Sequence, residues 1–232
     1  MICSIHQPQT FPWIGYFAKI FQSDIFVILD NVQFKKNEWQ NRNRLKTPAG
    51  WQWLTVPVIH RFGQLISEVK VNNTVNWRKK HIQTLKTFYG KAPFFKIYFP
   101  EIEELYQKQW ESLADFNLAG IKWILDKLAI QTPVKIASDL KELQKHSEVS
   151  PDERLILITK IMKADSYLSG AGGINYLKTD LFPNNSLNLI FQKFEHPVYR
   201  QLHGKFVSYL SILDLLLNEG PYSLNIIKGG IR

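Results

Sequence analysis

Ile2-Cys3-Ser4-Ile5-His6, then Gln7-Pro8-Gln9-Thr10-Phe11-Pro12, then Trp13-Ile14-Gly15-Tyr16-Phe17-Ala18-Lys19-Ile20-Phe21 is the stretch that decides the fold. The first five residues are short and β-branched at Ile2 and Ile5, which suits a buried strand. Two prolines then remove backbone donors, so the strand cannot continue. From Trp13 the apolar residues fall at helical spacing, Ser23-Asp24 stops the helix, and Ile25-Phe26-Val27-Ile28-Leu29 is apolar throughout, as an interior parallel strand is. Strand, helix, strand in this order predicts an α/β sheet whose ligands dock at the carboxyl ends of its strands.

Outward from this start the pattern changes. Asn43 to Thr47 and Trp51 to Val58 flank Pro48-Ala49-Gly50, a turn sequence, and read as an inserted hairpin. Ile66 to Val71 alternates like a strand. The period is helical from Trp77 to Tyr89 and again from about Pro100 to Leu128. Val134 to Ala137 reads as a strand, Pro151 to Met162 as a helix, Ser166 to Ser169 and Leu187 to Phe194 as strands. Leu210 to Asn218 reads as a helix stopped by Gly220-Pro221. The polar span from Leu140 to Pro151 reads as a flexible loop. The expectation is one α/β domain over residues 1–232: a mainly parallel sheet that begins with a βαβ unit, carries the inserted hairpin, and has a helical section, about 76–128, packed on it.

Composition narrows the function classes. The 232 residues are 45% hydrophobic and 21% charged, which is ordinary for a globular chain and excludes wholesale disorder. Cys3 is the single cysteine, so no intramolecular disulfide and no cysteine-rich metal site is available. A formal charge of +9 and seven Trp suit an anionic partner with flat rings, although a lysine-rich solvated surface has the same composition. No signal peptide and no run of apolar residues long enough to span a bilayer is visible, which gives an expectation of a cytoplasmic protein with no membrane span.

Five segments carry polar chemistry at sheet ends or turns. His6, Gln7 and Tyr16 flank the first strand-to-helix passage, where free N–H groups meet anions; a tightly packed turn is the competing reading. Asp30 and Gln33 follow the second apolar strand, where a carboxylate must be paired or face a cleft; an Asx turn is the alternative. Arg42 and Arg44 alternate with Asn41 and Asn43, so guanidiniums fall on one face and amides on the other. That pattern suits carboxylate or phosphate recognition, or an edge strand blunted by charge. His81 lies beside Arg78, Lys79 and Lys80 on a helix. Ser169-Gly170-Ala171-Gly172-Gly173 is a small loop after a strand, neither a Walker A sequence nor a dinucleotide fingerprint. His196, Tyr199 and Gln201 precede Asp214, for which His196 or Arg200 is the candidate partner. The six His show no metalloprotease spacing, no G-x-S-x-G occurs, and no metal ligand set is expected.

Taken together, His6-Gln7-Pro8-x-x-Phe11-Pro12-Trp13-x-Gly15-Tyr16-Phe17, Asp30-x-Val32-Gln33-Phe34, Asn41-Arg42-Asn43, Trp53-Leu54-Thr55-Val56-Pro57-Val58, Trp77-x-x-x-His81, Tyr167-Leu168-Ser169-Gly170, His196-Pro197-x-Tyr199-x-Gln201 and Ser211-Ile212-Leu213-Asp214 resemble the WbqC-like protein family. The likeness covers nearly the whole chain, and its first motif is highly specific. Members occur in bacterial gene clusters for O-antigen and other surface polysaccharides. The resemblance therefore implies a transferase or amide-forming enzyme that moves glycine or another acyl group onto a nucleotide-linked amino sugar. A second, fold-level likeness is to the HxGH nucleotidyltransferases, pantothenate synthetase among them, and implies ATP with magnesium. In this chain Trp13 and Tyr16 stand where that superfamily has its two His.

On this reading His6 is the general base or a phosphate contact, Asp30 holds the attacking amine, and Gln33 and Asn43 orient the acceptor. Arg42 or Arg44 takes phosphate or carboxylate, while Gln7, Tyr16, His81, Ser169, Gly170, His196, Tyr199, Gln201 and Asp214 complete the substrate-binding set. Two other classes stay open: an RNA- or tRNA-binding module using the charge and the Trp residues, and a non-catalytic scaffold in a polysaccharide assembly complex.

Overall fold

The computed structural model describes residues 1–146 and 148–232. In chain order the elements are β1 (Ile2–His6), α1 (Ile14–Phe21), β2 (Ile25–Ile28), β3 (Arg42–Thr47), β4 (Gly50–Thr55), β5 (Val58–Ile59), β6 (Lys70–Val71), α2 (Trp77–Tyr89), α3 (Phe95–Gln107), α4 (Leu113–Lys127), β7 (Val134–Ile136), α5 (Lys141–Gln144), α6 (Pro151–Ile161), β8 (Ser166–Ser169), α7 (Leu181–Asn184), β9 (Asn188–Phe191), α8 (Ile212–Glu219) and α9 (Ser223–Gly229). The central sheet has the order β7-β2-β1-β8-β9, and every pairing in it is parallel. The fold is α/β, with β3–β4 and β5–β6 as separate two-stranded ribbons.

Strand alternation sets up two cores. Phe26 and Ile28 of β2 face a larger cluster with α1, α2, α3, α4, α8 and the inner side of the hairpin. Val27, with Cys3 and Ile5 of β1, faces a smaller one with α6 and α7. β1 and β2 are therefore covered on both sides, as their near-continuous apolar sequences require. In order of appearance the sheet strands run 3-2-1-4-5, with the first two crossovers on one face and the next two on the other. The direction of winding reverses between β1 and β8, and a crevice opens there at the strands' carboxyl ends.

Several boundaries differ from the sequence reading. Ile66–Glu68 is a 3-10 turn, and only Lys70–Val71 of that stretch pairs. α3 begins at Phe95 and passes through Pro100, because Tyr98, Phe99, Ile102 and Tyr106 bury one continuous stripe that outweighs the lost backbone donor. Within Leu140 to Pro151 the chain forms α5, whose Leu143 is buried in the smaller core; Ser147 of that span lies outside the described residues. No helix among the described residues is long and apolar enough to cross a membrane.

Candidate functional site

A cavity of about 690 Å³ lies at the carboxyl ends of β1 and β2, against the first turn of α6. Its volume is that of a small-molecule site. Its walls include Ile5, His6 and Gln7 after β1, Leu29, Asn31, Val32, Gln33 and Lys35 after β2, Arg154 of α6, and Tyr167 and Tyr176 around the Gly-rich loop. It thus occupies the place where an open, doubly wound sheet binds its ligands.

His6 is part-buried and packs edge-on against Tyr16, ring centroids 4.9 Å apart. Its Nδ1 lies 3.2 Å from Gln7 O, which assigns the proton to Nδ1 and leaves a lone pair on Nε2. Burial, helped by the charge of Lys19, pushes the imidazole down to about 3, so it is neutral at physiological pH. In that neutral state His6 is a hydrogen-bond acceptor and a weak base. Tyr16 is buried and its hydroxyl donates to Gln7 O (3.3 Å), so it supports the site from below. Gln40 Nε2 donates to Gln7 Oε1 (2.7 Å), which turns the Gln7 amide by holding its oxygen.

Lys19 was not legible as a site residue. It sits in the last turn of α1, 2% exposed, and its Nζ donates to Ile5 O (2.9 Å), the last carbonyl before His6. Burial pushes its ammonium down to about 7. A lysine inside an otherwise apolar eight-residue helix was the available signal. Asn31 was also missed: its Oδ1 is buried in the cavity wall with no hydrogen-bond partner among the described residues. An orphan acceptor of this kind costs free energy that a ligand donor can recover. The cations at the cavity are Lys35, which is exposed, and Arg154, whose Nη1 donates to Asn31 O (3.0 Å). The start of α6 is closed by a capping box between Ser150 and Glu153, so positive charge comes from these two side chains and not from the helix end.

The loop from Gln7 to Pro12 is held by many bonds. Phe11 has φ of 41°, the left-handed region, which is strained for a bulky side chain. Asn43 Nδ2 donates to Thr10 O (3.1 Å) and Phe11 O (2.7 Å), Ser211 Oγ to Phe11 O (2.9 Å), and Ile212 N to Pro12 O (2.9 Å). Asn43 therefore fixes the loop that carries Gln7 and does not face the cavity. Trp13 folds back over the first turn of α1, and a Cβ on Gly15 would lie 2.1 Å from the indole. The Trp13-x-Gly15 spacing is thus a packing requirement.

The remaining expected site residues fall elsewhere. Gln33 lines the cavity and is exposed. Asp30 is buried, and Ser138 N (2.9 Å) and Ser138 Oγ (2.6 Å) each donate to one of its oxygens, tying β2 to the end of β7. Arg42 stacks on Trp53, and Arg44 Nη2 donates to Tyr209 O (2.8 Å), both on the hairpin's outer face. His81 is buried between Thr55 O (2.9 Å) and Tyr106 OH (3.2 Å), and burial pushes it down to about 4. Ser169 is buried at the end of β8 with its hydroxyl on Gly170 O; a Cβ on Gly173 would meet that hydroxyl at 2.1 Å. Both residues shape the loop that presents Tyr176, and neither lines the cavity. His196 stacks on Trp13, with Nδ1 on Pro197 O and Nε2 accepting from Tyr209 N (3.1 Å). Gln201 closes its loop by bonding both ways with Val207. Asp214 is bonded by Tyr89 and Tyr199, not by His196 or Arg200.

Lys35, Arg154 and the orphan Asn31 acceptor fit a phosphate-bearing ligand with a donor group. The adenylating machinery of the HxGH enzymes does not fit. Trp13 packs on Phe194, His196 and Tyr209 and does not line the cavity, and the Tyr16 hydroxyl is spent on Gln7 O, so neither stands as a donor to a leaving phosphate there. Asp30, spent on Ser138, offers no oxygen to a magnesium ion at the cavity. Among the described residues no three His, Cys, Asp or Glu cluster as a metal site.

A family model described as the WbqC-like protein family matches residues 7–226. The chain is 33% identical, over 229 residues, to the uncharacterized protein Rv1507c of Mycobacterium tuberculosis, covering 97% of this chain and 96% of that protein. No solved structure matches it significantly.

Proposed function

Since the chain belongs to the WbqC-like protein family, we propose that it is a transferase of surface polysaccharide biosynthesis that places glycine or another acyl group on a nucleotide-linked amino sugar. The observation that carries this reading is the chemistry of the cavity: cations at its wall and unspent acceptors beside them. Lys35 and Arg154 attract the diphosphate of the activated sugar. Asn31 Oδ1 and His6 Nε2 accept from its amine, which fixes the nitrogen lone pair toward the acyl carbon of the donor. Amine nitrogen and acyl carbon form the new bond, the donor's leaving group departs with its electron pair, and the amine's proton passes to solvent. Catalysis here is orientation more than acid–base chemistry, because an imidazole near 3 is a poor base at neutral pH.

The test is a calorimetric titration with nucleotide-linked amino sugars and with the same compounds carrying hydroxyl in place of amine. The amino sugars bind more tightly, and Asn31→Ala and His6→Ala each lower that preference by about tenfold, the worth of one hydrogen bond to a charged or polarised donor. Lys35→Met weakens both series alike. Mass spectrometry after addition of an activated acyl donor then reads the gain of one acyl group on the sugar amine. Equal binding of amine and hydroxyl compounds, unmoved by Asn31→Ala and His6→Ala, overturns the reading.

A further inference from the structure

The outer face of the β3–β4 hairpin carries chemistry that the cavity does not use. Antiparallel register pairs Arg44 with Trp53 and Lys46 with Trp51, so cations on β3 face indoles on β4. The inner face is spent: Asn43, Leu45 and Leu54 are buried against the core and the Gln7–Pro12 loop. On the outer face the Arg42 guanidinium lies 3.9 Å from the Trp53 ring centre, and that of Arg44 lies 5.0 Å from Trp51 and 5.4 Å from Trp39. Trp53 is 5.5 Å from Trp39 and 5.2 Å from Trp51, so three indoles and two guanidiniums form one ladder.

Two indoles of this ladder are open to solvent, while Trp39, Arg42 and Arg44 are half-buried. Trp51 is 43% and Trp53 36% exposed, side by side, which is a costly way to display two indoles unless a partner covers them. None of the four ion pairs among the described residues involves Arg42 or Arg44. Lys46 is turned aside to Lys205 O. The charged groups stacked on the rings are therefore donors, Arg42 and Arg44, of which Arg44 also holds Tyr209 O. Neutral sugar hydroxyls need acceptors as well as donors, whereas a chain of phosphates and flat bases needs cations and π-faces.

The geometry points to this face as a docking surface for single-stranded nucleic acid, with bases stacked on Trp51 and Trp53 and phosphates taken by Arg42 and Arg44. Trp39 ends the ladder, and the next residue, Gln40, donates to Gln7 and accepts from Lys35 N at the cavity wall. The assignment does not depend on what the cavity binds.

Anisotropy of labelled oligocytidine and oligouridine RNA, together with quenching of indole fluorescence, tests it. Binding is expected to weaken linearly on a log–log salt plot, and Arg42→Met with Arg44→Met to reduce that slope by about 1.4, roughly 0.7 for each lost phosphate contact. Trp53→Ala lowers affinity at least about fivefold, the low end for one stacked base. Arg42→Lys keeps the charge but loses the planar stack and falls between the two. Lys79→Ala with Lys80→Ala, an equal loss of charge on α2, leaves affinity unchanged after correction for net charge. Should Trp53→Ala lose its far-UV dichroism, Trp51→Phe, which keeps a ring, takes its place with a smaller loss. Binding that ignores all hairpin variants overturns the proposal. So does equal affinity for inorganic polyphosphate, which has no bases, or stronger binding of an acidic oligosaccharide at the same salt.

Discussion

Of the ionisable side chains sealed inside this protein, Asp214 and Lys19 are treated in opposite ways. Asp214, fully buried in the first turn of α8, accepts from Tyr89 OH and Tyr199 OH, each at 2.9 Å, and feels the charge of Lys46. Lys19, 2% exposed in the last turn of α1, has one carbonyl partner and the Phe26 ring 6.0 Å away. Both sit at the helix end whose dipole favours their charge. The difference lies in satisfaction. A carboxylate with a donor on each oxygen is an anchor that joins α2, α8 and the segment between β9 and α8, and Lys46 N donating to Tyr89 OH extends it to the hairpin (2.8 Å). An ammonium with one acceptor is a charge held in reserve beneath the cavity floor.

Removing the anchor is the harshest way to break this comparison. Asp214→Ala leaves two buried hydroxyls without their acceptor, removes the charge that faces Lys46, and costs about 4–5 kcal/mol by urea denaturation. Asp214→Asn keeps one acceptor and costs much less. Burial raises Asp214 from 3.8 to about 6 against the pull of its hydrogen bonds. A raised carboxyl stabilises the fold below 3.8 and loses that contribution as pH climbs through 6, so the gap between the wild type and Asp214→Asn narrows over this window. A gap that widens with pH shows instead that the two tyrosine hydrogen bonds outweigh burial and hold the carboxyl down.

Lys19 gives the next largest effect, with the opposite slope. Burial lowers it from 10.5 to about 7. A depressed amine contributes stability that is complete above 10.5 and lost as pH falls toward 7, about 3–4 kcal/mol across the window. Lys19→Met removes that slope and is more stable than the wild type at neutral pH, where the buried lysine has already lost this contribution. An unchanged profile between pH 7 and 10.5 shows that Lys19 reaches water in solution.

How far the sequence disclosed these features depended on whether local pattern or distant contact decided them. β1, α1 and β2 were legible because apolar runs and prolines act locally, and α2 was legible because Trp77, His81, Leu85 and Tyr89 repeat every four residues. The separation of Arg42 and Arg44 from Asn43 followed from strand alternation. His6, Gln7 and Gln33 reached the cavity since chain ends of neighbouring parallel strands must meet there. Asp30 and His81 did not, because Ser138 and Tyr106, far along the chain, claim them, and no local pattern announces a partner 108 or 25 residues away. Arg154 belongs to the cavity for the same reason: it meets Asn31 from 123 residues along the chain.

His81 offers a smaller test of the same contrast, a buried group satisfied on both sides. Its ring is held from 6.5 down to about 4 by burial. A depressed imidazole stabilises above 6.5 and loses that contribution as pH falls to 4, about 2–3 kcal/mol. His81→Gln, which cannot charge, flattens this acid limb while costing about 1–2 kcal/mol at neutral pH for imperfect bonds to Thr55 O and Tyr106 OH. A limb that survives the substitution assigns acid sensitivity to another group.

The smallest effect decides whether the reserve charge reaches the cavity. His6 is lowered chiefly by burial and secondarily by Lys19, which is protonated throughout the acid range where His6 titrates. Lys19→Met leaves the burial of His6 in place and deletes only the charge. Imidazole proton shifts followed by NMR should therefore show His6 titrating at a higher pH in Lys19→Met than in the wild type, with His81, on the far side of β4, unmoved. The reciprocal variant, His6→Gln, should leave the alkaline slope of Lys19 intact, since a neutral imidazole exerts no charge there. If His6 titrates at the same pH in both proteins, the ammonium acts on its own carbonyl alone and the cavity's field comes from Lys35 and Arg154. If it moves, α1 delivers a titratable charge to the floor of the site, and ligand affinity for anions should rise as pH falls through 7 in the wild type but not in Lys19→Met.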